Sequence, residues 1–177
     1  ISKAINNSSS TAFDLLVNLL KWSQTQTNRI KHNPSKIEIN EIIQSSIELL
    51  ENIAISKSLN ISFDPQENVL VYADINMLNS ILRNLISNAI KFTDSGRIKI
   101  QVNINSKYCE ISVQDSGVGI PEDNLKKLFL LDEDISTKGT LGESGTGLGL
   151  ILCKEFVEKN NGSIQVESTL NEGSKFS

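Results

Sequence analysis

Scarcity sets the first limits on this sequence. One histidine in 177 residues leaves no room for a His-rich metal centre. Two cysteines, Cys109 and Cys153, stand far apart, form no Cys-x-x-Cys pair and frame no disulfide scaffold. They read as small buried apolar side chains in a reducing compartment. No apolar run approaches the ~18 residues of a membrane span, and no signal-peptide pattern is present. No basic run is longer than Lys126-Lys127, and the net charge is -4, which argues against a nucleic-acid-binding face.

Hydrophobic content of 38% and charged content of 21% describe an ordinary globular chain. Its length suits about one domain with an appendage; a domain of ~150 residues buries roughly 70% of its unfolded surface. The chain opens at Ile1 without Met, so it is expected to be a fragment, and a membrane-anchored parent stays open.

Residues 1–31 contain neither Gly nor Pro. Ala12, Leu15, Leu16, Leu19 and Trp22 recur at helical spacing, with Phe13, Val17 and Leu20 as an adjacent stripe. The prediction is one long helix lying outside the main core, ended by "KHNPSK", where Pro34 steers Asn33 out of helix. Residues 1–36 are therefore set apart from 37–177. In the second part, "KIEIN" reads as a strand, followed by a helix over about 40–58 capped by Asn40. "NISF" and "VLVYA" read as strands around the turn "DPQEN". Asp74 caps a helix through about Lys91. "GRIKIQVNIN" and "YCEISVQD" read as a hairpin turning at Ser106-Lys107. Pro121 opens a short helix, residues 129–144 form a loop, and Thr146 to Asn160 form a helix with Gly162 beyond it. "SIQVES" and a last strand, cut short at Ser177, complete a mixed or largely antiparallel sheet with helices on one face, an α+β arrangement.

Of the 10 glycines, four fall in "GESGTGLGL", Gly142 to Leu150. Backbone without Cβ can approach a ligand closely, and the helix start offers unpaired N–H groups and a positive dipole end, which suit phosphate. On its own the stretch fits a flexible lead-in equally well, and it matches neither the P-loop nor the Rossmann pattern. Upstream, Asn84, Asn88 and Lys91 stand at i, i+4, i+7 on one helix face, turned roughly 120° from the Leu78, Leu82, Leu85 and Ala89 stripe. A polar row of this kind is most often merely solvated, but asparagine is a weak helix former and two at this spacing need a reason. In "QDSGVGIPE", Asp115 ends a strand and can accept the hydrogen bond of an exocyclic amine such as that of adenine; ordinary turn chemistry is the plainer reading.

The order of these pieces is more specific than any one of them. "NLISNAIKFT", "DSGVGI", "KLF" and "GTGLGL" resemble, in sequence, the N box, first glycine box, F box and second glycine box of sensor histidine kinases, within the superfamily shared with DNA gyrase, MutL and a heat-shock chaperone. Residues 1–31, with "NLLKWS", resemble the second helix of the dimerisation and histidine-phosphotransfer hairpin, and residues from 37 onward the catalytic ATP-binding domain. "STKG" and "GESGTGLGL" are similar in style to large hybrid sensor kinases. The implied fold is a two-layer α/β sandwich (the Bergerat ATP-binding fold) with a mixed sheet, preceded by one long helix.

By the same resemblance, Asn88 ligates Mg²⁺ on the phosphates of ATP, Lys91 neutralises phosphate charge, and Phe92 lies against the nucleotide. Asn84 belongs to the same box. Asp115 receives the adenine amine, with Gly117 and Gly119 leaving room for the ring and its waters. Gly145, Thr146, Gly147, Leu148 and Gly149 form the floor and edge of the phosphate site, and 130–144 resemble the ATP lid, whose "DED" at 132–134 is expected to point outward. Assignment of Ser174 or Lys175 in "NEGSKF" to the site is left open, because only Gly173 of a third glycine box is present. The phosphoacceptor histidine lies on a hairpin helix that is not among these residues, and His32, in "IKHNPS" with no acidic residue after it, is expected to be a junction residue. Implied partners are ATP, a response-regulator receiver domain and a second copy of the parent in a homodimer. The alternatives are a catalytically silent nucleotide-binding interaction module and a clamp-type ATPase.

In the hydrolysing relatives the residue four before the Mg²⁺ asparagine is Glu; here it is Asn84, and an amide is no general base near neutral pH. The chain is therefore expected to hydrolyse ATP slowly. A fast Mg²⁺-dependent ATPase rate that survives repurification is the opposite outcome.

Overall fold

The computed structural model describes residues 16, 17, 19, 20, 23, 24, 27, 31–67, 69–130, 139–143 and 147–177. Of the expected first helix, Leu16, Val17, Leu19, Leu20, Ser23 and Gln24 are helical, and Leu16, Leu19 and Leu20 are exposed. The rest of that helix, including Leu15 and Trp22, lies outside the described residues.

The elements follow as β1 (Ser35–Glu38), α1 (Ile39–Ser56), β2 (Leu59–Phe63), β3 (Leu70–Ala73), α2 (Ile75–Phe92), β4 (Gly96–Ile104), β5 (Cys109–Asp115), α3 (Glu122–Leu125), α4 (Leu148–Lys159), β6 (Val166–Thr169) and β7 (Gly173–Phe176). A five-stranded sheet has the order β2-β4-β5-β7-β6, and β1 and β3 form a separate antiparallel pair. β2 runs parallel to β4, and the other pairings in the large sheet are antiparallel. The expected α+β sandwich with a mixed sheet is thus observed. The "DPQEN" turn joins strands of two different sheets rather than a hairpin. Turn residues set where the chain reverses; the distant partner strand decides which sheet receives it.

Alternation along β4 shows why the sheet is one-sided. Ile98, Ile100 and Val102 are buried, while Arg97, Lys99 and Asn103 are exposed. In register, Ile100 faces Val113 and Ile98 faces Asp115, and directly opposed residues share a face. Asp115 therefore projects toward the helices with the core, not toward open solvent. Against this face pack α1 and α2, and α4 packs on α2, with Ile39, Ile43, Leu82, Ile86, Leu152 and Phe156 in one buried cluster.

The helix caps carry one correction. Asn40 is not the cap of α1: Glu38 is, its carboxylate accepting from the backbone N–H of Asn40 and Glu41 at 3.3 and 3.0 Å. The Asn40 side chain instead donates to Glu38 Oε1 (2.6 Å) and to the Gln66 carbonyl (2.7 Å), bracing the cap on the "DPQEN" turn. Asp74 caps α2 as expected, Oδ1 accepting from Asn76 and Met77 N–H at 2.9 and 3.1 Å. Its Oδ2 accepts from Asn33 N–H at 2.9 Å, and its own N–H donates to Asn160 Oδ1 at 2.8 Å. The start of α2, the end of α4 and the junction residues therefore meet at one point. α4 begins at Leu148, after Gly147, two residues later than expected. Both cysteines behave as apolar side chains; burial pushes the Cys153 thiol up to about 12.

Leu82, 1% exposed in α2, sits where helices and sheet meet. Leu82→Ala should cost ~2–5 kcal/mol through lost transfer energy plus a cavity. Urea unfolding should show a lower midpoint with an unchanged slope, and a loss below ~1 kcal/mol would contradict this packing.

Candidate functional site

The helical spacing of Asn84, Asn88 and Lys91 is realised on α2, near its C-terminal end. Asn88 Nδ2 donates to Asn84 Oδ1 at 3.0 Å. That bond commits the amino group of Asn88, and among the described residues its carbonyl oxygen has no partner. Lys91 and Phe92 are half-buried, with the Lys91 ammonium 4.6 Å from the centre of the Phe92 ring. Burial pulls the Lys91 pKa below its ordinary value; Glu143 opposes that shift and Lys57 adds to it.

The remaining pieces reach this end of α2 through glycine. The β5–α3 turn lies on it: Val118 N–H donates to the Phe92 carbonyl at 3.1 Å. A Cβ on Gly117 would fall 2.3 Å from that carbonyl, so any other residue would lift the turn away. From the other side, α4 packs its first turn on Asn84, and a Cβ on Gly149 would fall 2.3 Å from Asn84 Nδ2. One asparagine thus touches both its neighbour at i+4 and the second glycine-rich stretch. Gly147 has φ +71°, and a Cβ there would meet none of the described atoms within 4 Å. The N-terminus of α4 carries no side-chain cap among the described residues and has Leu148 half-buried beside it. Gly119, at φ +67°, approaches the Thr169 carbonyl of β6, so its immediate contact is with backbone. Gly145 and Thr146, and the acidic stretch 132–134, lie outside the described residues.

Asp115 is buried, with 8% exposure. Oδ1 accepts from Gly117 N–H at 2.9 Å and Ser174 N–H at 3.3 Å. Among the described residues Oδ2 has no hydrogen-bond partner. Burial raises the carboxyl pKa, and the two backbone bonds oppose this without cancelling it. A buried carboxylate with one oxygen fixed and one unused is an acceptor awaiting a donor.

Two contributors, Gly139 and Lys57, escaped the sequence reading, and a third, Ser174, stood open there. Ser174 reaches Asp115 through its backbone, which no side-chain pattern reveals. Its Oγ lies 3.0 Å from Ser168 Oγ, and Ser168 accepts from Ile120 N–H at 2.8 Å. Lys175 faces the opposite side of the sheet, near Glu110 (3.9 Å) and Glu167 (3.7 Å). Gly139 is buried against the Lys91 side chain, and Lys57 reaches the end of α2 from α1. His32 is exposed, with Nε2 3.2 Å from Asn160 Oδ1, at the N-terminal end of α2. At 1.5 Å per residue, the stretch from Asp74 to Asn88 separates it from Asn88 by roughly 20 Å.

The half-buried Lys91 ammonium, the Asn88 amide oxygen without a partner among the described residues and the start of α4 gather at one helix end, close to the turn that follows the buried Asp115, an arrangement suited to an anionic ligand carrying an amine. The chain belongs to the family described as histidine kinase-, DNA gyrase B- and HSP90-like ATPase, matched over residues 73–177. Among its relatives is the sensor histidine kinase RcsC of Escherichia coli strain K12, 32% identical over 98% of this chain. The chain spans 18% of the length of RcsC. The solved catalytic domain of the histidine kinase ThkA is 31% identical, with a TM-score of 0.70 over 81% of this chain and 92% of that one. A structure of ThkA in complex with the response regulator protein TrrA is 25% identical, with a TM-score of 0.76 over 98% of this chain and 48% of that one.

The raised pKa of Asp115 has a thermodynamic consequence. A folded pKa above the unfolded value contributes stability that is present below the unfolded pKa, ~3.9, and lost as pH rises through the folded value. The carboxyl is therefore expected to contribute less to the stability of the fold near neutrality than in acid. Asp115→Asn keeps an Oδ1 acceptor and should raise the urea midpoint at pH 7, the gain vanishing below about pH 3.5. A lower midpoint at pH 7 is the contrary result.

Proposed function

We propose that this chain is the ATP-binding catalytic region of a sensor histidine kinase, with residues 37–177 as the nucleotide-binding domain and 1–36 as part of the dimerisation hairpin and its junction. The carrying observation is the convergence on one helix end of Asn84, Asn88, Lys91 and Phe92 with the turn after Asp115 and the first turn of α4. Asp115 would accept the adenine amine through Oδ2. Lys91 and the N-terminus of α4, with Gly145, Thr146, Gly147, Leu148 and Gly149, would hold the phosphates. Phe92 would lie against the nucleotide.

The donor set fits Mg²⁺ held jointly with ATP. Asn88 offers one hard oxygen, and phosphates and water would complete the shell. Among the described residues no group of three His, Cys, Asp or Glu could hold the ion without nucleotide. When bound, Mg²⁺ would neutralise charge on the phosphates. The protein's share of phosphoryl transfer is positioning and charge compensation. Asn84 supplies no base, and its amide is already committed to Asn88 and packed under Gly149, which disfavours the clamp-ATPase reading.

The acceptor would be a histidine of the parent hairpin. A distance of roughly 20 Å along α2 keeps His32 from serving in its place. The exposed Leu16, Leu19 and Leu20 support a homodimer in the parent, where a second hairpin would cover them. The ThkA–TrrA complex supports a response-regulator receiver domain as the next phosphate acceptor. The parent would be membrane-anchored with this chain as a cytoplasmic part; among the described residues no helix is long and apolar enough to cross a membrane.

Calorimetry with a non-hydrolysable ATP analogue and Mg²⁺ should show binding by this chain. Asp115→Ala should weaken it roughly ten- to a hundredfold, the ~1.5–3 kcal/mol of a charge-assisted hydrogen bond. Failure of the unmodified chain to bind would favour a silent interaction module instead.

A further inference from the structure

Lys57 follows α1 directly, and its side chain is 3% exposed. Its ammonium crosses to another helix and donates to the carbonyls of Ile90 (3.0 Å) and Lys91 (3.2 Å), to Thr140 Oγ1 (2.7 Å) and to Glu143 Oε1 (3.0 Å). A buried ammonium is costly unless compensated, and here three N–H groups meet four acceptors. Two of these acceptors are terminal carbonyls of α2, at the negative end of its dipole.

The other two belong to a compact turn over 139–143. Gly139 N–H donates to the Glu143 carbonyl at 2.8 Å, and Gly142 N–H to the Gly139 carbonyl at 2.9 Å. Thr140 N–H donates to the Lys91 carbonyl at 3.0 Å. Glu143 uses both oxygens, Oε1 on Lys57 and Oε2 on Leu141 N–H at 2.8 Å. A Cβ on Gly139 would fall 2.5 Å from Lys91 Cγ and 2.4 Å from Glu143 Oε2. The turn is therefore seated on the stem of Lys91, and an acidic side chain is held within electrostatic reach of its ammonium.

We propose that Lys57 is a positioning residue for nucleotide binding, one that seats the 139–143 turn on the Lys91 stem and holds the Glu143 carboxylate away from incoming phosphate. The inference rests on the nucleotide reading above. Removing the ammonium has two effects. The turn loses its anchor, and Glu143 is released as an unpaired negative charge beside a phosphate-binding lysine.

The two effects separate in a rescue experiment. Binding of the ATP analogue with Mg²⁺ is measured by calorimetry on the whole chain, on Lys57→Met and on Lys57→Met with Glu143→Gln. Circular dichroism confirms folding in each case. Lys57→Met should bind about tenfold more weakly, and adding Glu143→Gln should recover about threefold, because the freed charge is gone. A purely structural lysine predicts no recovery, since the second change removes a further turn contact. Lys57→Gln, which keeps donors for the α2 carbonyls, provides a second route and should show the same loss and rescue. Folded variants binding within twofold of the unmodified chain, or a deeper loss in the double variants, would overturn the assignment of Lys57 alone. No binding by the unmodified chain would sink the nucleotide reading and this inference with it.

Discussion

The C-terminal end of α2 is the constraint on which the rest of the site depends. Helix ends leave carbonyls unpaired, and a buried end must find donors elsewhere. The last four carbonyls of α2 are all occupied. Ala89 accepts from Thr93 Oγ1 at 2.7 Å, Ile90 and Lys91 from Lys57, Lys91 also from Thr140, and Phe92 from Val118. These donors come from four places in the chain: the end of α1, the residue after α2, the turn after β5 and the turn before α4. Satisfying one helix end therefore gathers the segments that line the proposed nucleotide site.

The local conflicts in the sequence gain their reason here. Two asparagines in a helix interior sacrifice propensity, yet Asn84 supports both Asn88 and the first turn of α4. Burial of Asp115 raises its pKa, and among the described residues one of its oxygens has no partner. A left-handed Gly147 opens α4 with no side-chain cap among the described residues, at a position where Ser, Thr or Asp is preferred. Each departure from local preference lies at the site, as expected where function is held at some expense of stability.

The parts of this arrangement that were legible in the sequence are those written in short-range pattern. The row of Asn84, Asn88 and Lys91 follows from helical period, the β4–β5 hairpin from alternation and a polar turn, and the place of Asp115 from its position at a strand end. What escaped depends on distant chain segments. Lys57 looks like any solvated lysine at the end of a helix, and its basic charge there suggests the dipole of α1 rather than that of α2. Gly139 lies in a polar stretch where a glycine reads as loop, although its role is to leave space for the Lys91 stem. Ser174 could only be left open, because it acts through its N–H, a group every residue but proline has. The parallel pairing of β2 with β4 was equally hidden, since the strand and its partner are separated by β3 and all of α2.

The contacts of Lys57 carry a different implication. They join it to Thr140 and Glu143, 83 and 86 positions further along the chain. Contacts so distant in sequence must overcome loop-closure entropy before they return any stability. The end of α2 is thus closed by some of the least local contacts in the protein, and folding is expected to complete it after the β4–β5 hairpin has formed.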